Sequence, residues 1–363
     1  MLAAGAILFL AGPTVLAGCT IPARAPQGPD PLAAPARHAE ADVALATGVA
    51  QLAAQADPGL AAAARTLARD RLAHAAALRA ELRRARPTPA PHGGSSPIAP
   101  PPIALPPIAL PPTALPPTAN PQIANPAANP DLAGARSALT QATHAAQDEA
   151  TALVMTLPGY RAALLASIAA CCASHLPRPD METYRGDRTP AGPDMSPYRG
   201  GNRGTVDSLQ RALGAEHAAI WVYGVVGAFA PRAWGGQLVA AATAHRARRN
   251  ATERMLIDAG ARPVPPEPGY LTPEPVADAA SALRLAITAE TDAAAAWRSV
   301  IERSTADSDP RSAADPNLRS AADPDLRNVA LDALTAAAVQ ATRWRETVGS
   351  TPLTVPFPGA PFS

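Results

Sequence analysis

The chain has 363 residues, 43 of them proline, about 12% against an ordinary ~5%. Aromatic residues make up 4%, and no run alternates β-branched or aromatic side chains, which argues against all-β and doubly wound folds. A formal net charge of +1 excludes a broad nucleic-acid footprint, and all 31 basic residues are arginine, the habit of a GC-rich genome.

Residues 1–18 read as a signal peptide. Leu2 to Val15 is almost wholly apolar, the length of a secretory apolar region and shorter than the ~20 residues of a membrane span. The string Leu16-Ala17-Gly18-Cys19 resembles a bacterial lipobox. That resemblance implies cleavage before Cys19, a diacylglycerol on its thiol and a palmitate-type chain on the new amine. Two or more chains anchor stably where one does not. The expected location is the extracytoplasmic face of the cell membrane, with the membrane and cell-envelope components as partners and no nucleic acid. No basic residue precedes Arg24, so the basic start of a signal peptide is missing. Residues 19–37 read as an extended tether.

Residues 38–86 predict a helical pair broken at Asp57-Pro58-Gly59. Asp42, Leu45, Val49 and Leu52 recur at helical spacing in the first arm, and Leu60, Ala64, Leu67, His74, Leu78 and Leu82 in the second. Residues 87–130 are a proline-rich pentapeptide repeat, incompatible with helix or central strand. A second pair, broken at Pro158-Gly159, covers 131–176; these pairs form an N-terminal bundle over 38–176. A linker at 177–206 carries an imperfect duplication, Pro179-Asp-Met-Glu-Thr-Tyr-Arg-Gly186 against Pro193-Asp-Met-Ser-Pro-Tyr-Arg-Gly200.

Four helices are predicted over 207–350. The first, capped by Asp207, reaches Phe229 with a stripe through Leu209, Leu213, Glu216, Ile220 and Tyr223. The second runs from Gly235 to Ala259 with His245 on its apolar stripe. A proline-rich connection covers 260–276. The third spans Ala277 to Arg303 with Glu290 and Trp297 inward, and the fourth Asp325 to Val348 with Trp344 inward. A tandem copy, Arg311 to Leu326, reads as a loop insertion, and 351–363 is a tail. A 24-residue helix is ~36 Å long and seventeen extended residues reach roughly 56 Å. The long connection can therefore cross a whole helix, so the second and third helices should run the same way. One such crossover distinguishes ferritin-like bundles from simple up-down ones.

The segments Ser208-Leu-Gln-Arg-Ala-Leu-Gly-Ala-Glu-His-Ala-Ala-Ile-Trp-Val-Tyr-Gly224 and Ala244-His-Arg-Ala-Arg-Arg249, with the Phe357-Pro-Gly-Ala-Pro361 tail, resemble a ferritin-like domain of unknown function from lipoproteins of high-GC Gram-positive bacteria. The resemblance covers about 207–361 and implies a ferritin-like fold and an envelope lipoprotein; because the helical pattern of the first half repeats the same plan, the expected architecture is all-α, two ferritin-like four-helix bundles joined by Pro-rich linkers. It implies no established activity.

Di-iron members of that class use one Glu from each of two helices and Glu-x-x-His from each of the other two. Here Glu216, His245 and Glu290 fall at one depth, a carboxylate/His set for Fe, Mn or Zn. The rest is missing: Ala242 stands three before His245, and the fourth helix offers Gln340 and Arg343. The competing reading is a buried polar network with Arg249 or Arg343 as partner, since buried charge must be paired. His217 should point away from this layer, and Arg246-Ala-Arg-Arg249 reads as a solvated face. In the first half His74 and His175 take the histidine places, with Arg71 and Cys172 where Glu would be. A Cys172–His175 soft-metal pair is conceivable there. Cys171 and Cys172 otherwise read as packed small hydrophobes. No phosphate loop, nucleophile elbow or zinc-spaced cysteine set is present. Two functional expectations follow: a non-catalytic binding or scaffolding module, or a metal carrier or oxidase built on the degenerate site. A third is an apolar ligand cleft lined by Trp221, Tyr223 and Trp297.

Overall fold

The breaks in helical periodicity at Asp57-Pro58-Gly59 and Pro158-Gly159 become turns between helices in the computed structural model, which describes residues 28–85, 131–176, 202–304 and 323–361. The signal peptide with Cys19, residues 19–27 of the tether, the pentapeptide repeat, the 179–200 duplication and most of the 311–326 tandem copy lie outside the described residues. Among the described residues there are eight α-helices and no strand: α1 (Ala33–Leu52), α2 (Pro58–Ala85), α3 (Leu132–Val154), α4 (Gly159–His175), α5 (Arg203–Phe229), α6 (Gly235–Asp258), α7 (Ala279–Arg303) and α8 (Pro324–Thr347). The all-α expectation is met.

Helix starts follow side-chain chemistry. Asp57 accepts the N–H of Leu60 at 2.9 Å in front of Pro58. Asp131 accepts from Gly134 at 2.7 Å. Asp278 and Ser281 form a reciprocal capping box for α7. Asn202, not Asp207, caps α5, accepting the Thr205 N–H at 2.8 Å. Asp207 lies inside the helix. α1 likewise begins at Ala33, ahead of the expected residue 38, with Pro35 tolerated in its first turn.

Cross-helix contacts give the directions. Thr205 bonds the Arg303 carbonyl, Trp297 reaches Glu216 and Tyr223 reaches Glu290, so α5 and α7 are antiparallel. α5 and α6 form a short hairpin, so α6 and α7 run the same way, as a long crossover requires. The crossover at 259–278 is irregular and tied to α5, where Gln210 bonds the backbone of Arg262 and Val264. The first half repeats the plan: α1 pairs with α2, α3 with α4, and α1 with α3. Asp42–Arg71 and His38–Glu149 show α2 and α3 both antiparallel to α1.

The two halves share a core. The described residues from 31 onward make one compact unit, and α4 packs on both α7 and α8. One apolar cluster joins Leu78 of α2, Val154 of α3, Leu165 and Ile168 of α4, Leu213 of α5, Trp297 of α7 and Leu334 of α8. α4 is buried on nearly every side, which is what an Ala/Ile/Cys helix without a charged stripe should do. Alanine faces allow close backbones: a Cβ on Gly159 would sit 2.0 Å from the Glu302 carbonyl oxygen of α7. The fully buried Arg327 of α8 donates to the carbonyls of Val154 and Leu157 at 2.6 and 2.8 Å, closing the end of α3. The tail crosses the junction. Ser167 of α4 donates to the Pro358 carbonyl, and Arg298 of α7 donates to Ser167.

Candidate functional site

Glu216, His245 and Glu290 meet inside the second half, all essentially without solvent contact. His245 Nδ1 lies 2.7 Å from Glu216 Oε2 and its Nε2 lies 3.2 Å from Glu290 Oε1. Depth counting along the helices placed them together because α6 and α7 are parallel. The fourth member is Arg248, whose Nε donates to Glu216 Oε1 at 2.9 Å and whose guanidinium also reaches His245 Nδ1 at 2.8 Å. Trp297 Nε1 donates to Glu216 Oε1 at 2.6 Å. Tyr223 donates its hydroxyl to Glu290, and Trp344 donates to Tyr223 at 2.8 Å.

The charges are nearly balanced, two carboxylates against a guanidinium and an imidazole. Burial raises the Glu216 carboxyl, but Arg248, His245 and the Trp297 donor outweigh it and hold the group below the usual carboxylate range. Burial would push His245 down, yet Glu290 and Glu216 outweigh that and raise it. Burial and Glu290 together push the Tyr223 phenol well up, so it stays a donor. The partner is Arg248 rather than Arg249 or Arg343. Arg249 lies on Asn250 and Arg343 on Gln340. Within the run 246–249, Arg246 is exposed and Arg248 turns inward one helical turn after His245.

This arrangement does not suit a di-iron centre. The imidazole turns opposite edges to its two carboxylates, so the three groups do not present one donor atom each to a single point. Arg248 holds the position beside Glu216 where a cation would sit. Ala242, Gln340 and Arg343 supply none of the missing carboxylates. His217 is buried, 4.0 Å from Glu253 of α6, and takes no part in this layer's ion pairs. Tyr223 and Trp297 serve the charge network, while Trp221 lies partly exposed against Tyr270 of the crossover, so the three do not line one cleft.

The first half has its own buried polar layer. Arg71 pairs with Asp42 and donates to His74 Nδ1 at 3.1 Å, while His74 Nε2 donates to the Pro356 carbonyl of the tail at 2.7 Å. Burial, followed by the Arg71 charge, depresses His74 to about 3, so the ring is neutral. Each half thus holds an acid from its first helix and an Arg/His pair three residues apart on its second, in opposite order. Asp70 is the residue the sequence reading missed. It sits one position before Arg71, fully buried, 2.8 Å from His175 Nε2 and 3.7 Å from Cys171 Sγ. His175 therefore meets Asp70 and Cys171, whereas Cys172 faces Arg71 at 3.9 Å. An acid inside a helix rich in arginine looks like surface, and only its phase relative to α4 reveals it.

Residues 208–322 and 316–362 match the profile of a family described as "Domain of unknown function (DUF4439)". Among solved structures, the chain is similar to a conserved hypothetical protein, rv2844, from Mycobacterium tuberculosis, at 36% identity over 43% of this chain and 97% of that one, with a TM-score of 0.35. No curated protein matches the chain. The family match thus covers residues 208–362, under half of the chain, and it is this C-terminal region that is similar to the domain of unknown function DUF4439.

Proposed function

We propose that this protein is a lipid-anchored module of the bacterial envelope, held to the extracytoplasmic membrane face through Cys19, whose ferritin-like helical body binds or scaffolds and does not catalyse. The observation that carries the non-catalytic reading is the Arg248 guanidinium held beside the Glu216–His245 pair and in contact with both. A ferritin-like oxidase needs that space for a cation bridged by carboxylates. Here a fixed cation of the protein fills it, and the layer is closed by Trp297, Tyr223 and Trp344. Solvent has little access: the cavity lined by Glu290, Arg345 and the tail is about 20 Å³, room for one water. The exposed surface of the helical body then offers the binding functions.

The anchoring half of the reading rests on Leu16-Ala17-Gly18-Cys19. Labelling cells with a radioactive fatty acid should mark the wild-type chain, and Cys19→Ala should abolish the label and release the protein from the membrane fraction. An unlabelled wild-type chain contradicts it. The non-catalytic half is tested by loading the purified protein with Fe²⁺ in air. Neither ferroxidase turnover nor metal bound through Glu216 and Glu290 is expected.

A further inference from the structure

We propose that Asp70, Cys171 and His175 form a binding site for one zinc-class divalent cation in the first half of the molecule. The site is separate from the charge network of the second half and does not depend on the reading of that network.

The geometry is that of a donor set facing one point. Asp70 Oδ2, Cys171 Sγ and His175 Nε2 all lie within 4.8 Å of one another. The O···N and O···S separations are 2.8 and 3.7 Å. Zinc bonds of about 2.0–2.3 Å to O, N and S, arranged tetrahedrally, put neighbouring donors roughly 3.3–3.6 Å apart. Small side-chain movements therefore admit the ion. Cys171 and His175 are four residues apart on α4, so they share one face. Asp70 comes from α2, which runs antiparallel to α4, so the site ties two helices together.

The surroundings fit a cation. Arg69 holds the other carboxylate oxygen, Oδ1, through Nε and an NH2 group at 2.8 and 2.6 Å, which fixes the plane of Asp70 and leaves Oδ2 turned to the sulfur and the imidazole. Orientation of a ligand by an outer partner is typical of metal sites. Arg71, the nearest buried cation, is neutralised by Asp42. His74 is occupied by Arg71 and the Pro356 carbonyl and does not compete. The Thr354 hydroxyl of the tail bonds Asp70 Oδ2 and closes the remaining side, where it or a water completes the coordination. A mixed sulfur, nitrogen and oxygen set suits Zn²⁺ rather than Mg²⁺ or Ca²⁺. Binding exchanges the Cys171 thiol proton, released to solvent, for a metal–sulfur bond. One carboxylate and one thiolate then balance the two charges of the ion.

The test uses the full chain, purified in detergent with a reductant, stripped with a chelator and titrated with Co²⁺ alone and then Zn²⁺ alone. One Co²⁺ per chain should bind with a sulfur-to-metal charge-transfer band, and Zn²⁺ should displace it. Cys171→Ser should remove the band and weaken Zn²⁺ binding by more than the roughly tenfold expected for losing an outer partner. Cys172→Ser should keep both. Cys171→Ala, which fills the same small space, checks folding: its melting temperature without metal should match wild type, and Zn²⁺ should no longer raise it. His175→Asn should behave as Cys171→Ser does. Absence of the band in the wild type, or a band that survives Cys171→Ser, overturns the proposal.

Discussion

Two buried histidines in this molecule should respond to pH with opposite sign. His74 has a folded value of about 3 against about 6.5 in an unfolded chain. Above pH ~6.5 it is neutral in both states; below that only the unfolded state takes the proton, so stability falls as pH drops from ~6.5 toward ~3. Arg71, Asp70 and His175 face the ring, and the Pro356 carbonyl fixes its donor nitrogen. His245 is raised by Glu290 and Glu216 against burial. Its contribution is full below the unfolded value and is lost as pH rises through the folded one. Melting temperatures measured across pH should therefore fall less steeply on the acid side in His74→Gln, and should lose an alkaline decline in His245→Gln. Arg248→Met strands Glu216 and should destabilise by about 3 kcal/mol or more in urea unfolding. Arg249→Met, on the half-exposed face, should stay within about 0.5 kcal/mol. The inward identity of Glu216, His245 and Glu290 was legible because each interrupts an apolar stripe. Arg248 was not, because three arginines in four residues look alike until the helix phase is known to within one position.

At the scale of elements, the tail is the least expected structural part. It lays Pro356, Pro358 and Gly359 across the junction of α2, α4 and α7. Phe357 meets His74 edge-on with ring centroids 5.3 Å apart. Gly359 has φ +75°, and a Cβ there would sit 2.5 Å from the Ala294 carbonyl oxygen of α7. Gly359→Ala should cost more than about 1 kcal/mol. Hydrogen exchange should then speed up around residues 70–74 and 167–175, far away in sequence. Unchanged exchange there would contradict the docking of the tail. Helix existence and breaks were readable from Asp57-Pro58, Pro158-Gly159 and Pro231. The role of α4 was signalled too, by a run from Ala162 to Cys172 with no charged residue, which marks a helix buried all round. Stripe counting treats every helix as one-faced, so it passed over that signal.

At the scale of the whole molecule, the sequence predicts two bundles of one plan, and the structure adds a core that the two share. The shared core through Leu165, Leu213, Trp297 and Leu334, and Arg327 closing α3 from α8, leave neither half a complete surface of its own. Calorimetry should show one cooperative transition. A protease site placed near residue 190, once cleaved, should leave the halves co-eluting. Two transitions, or separation after cleavage, would mean that α4 does not join them. Contacts between halves were illegible because the long proline-rich segments place no limit on where one bundle lies against the other.

What fills the layer of Glu216, His245 and Glu290 is read most directly from the metal content per chain. The Cys171→Ser protein, reconstituted with Fe²⁺, Mn²⁺ or Zn²⁺ and freed of excess ion, should carry no stoichiometric metal. One or two equivalents that disappear in Glu216→Gln or Glu290→Gln would show that the guanidinium of Arg248 yields its place to a cation, and would contradict the reading of this layer as a closed charge network.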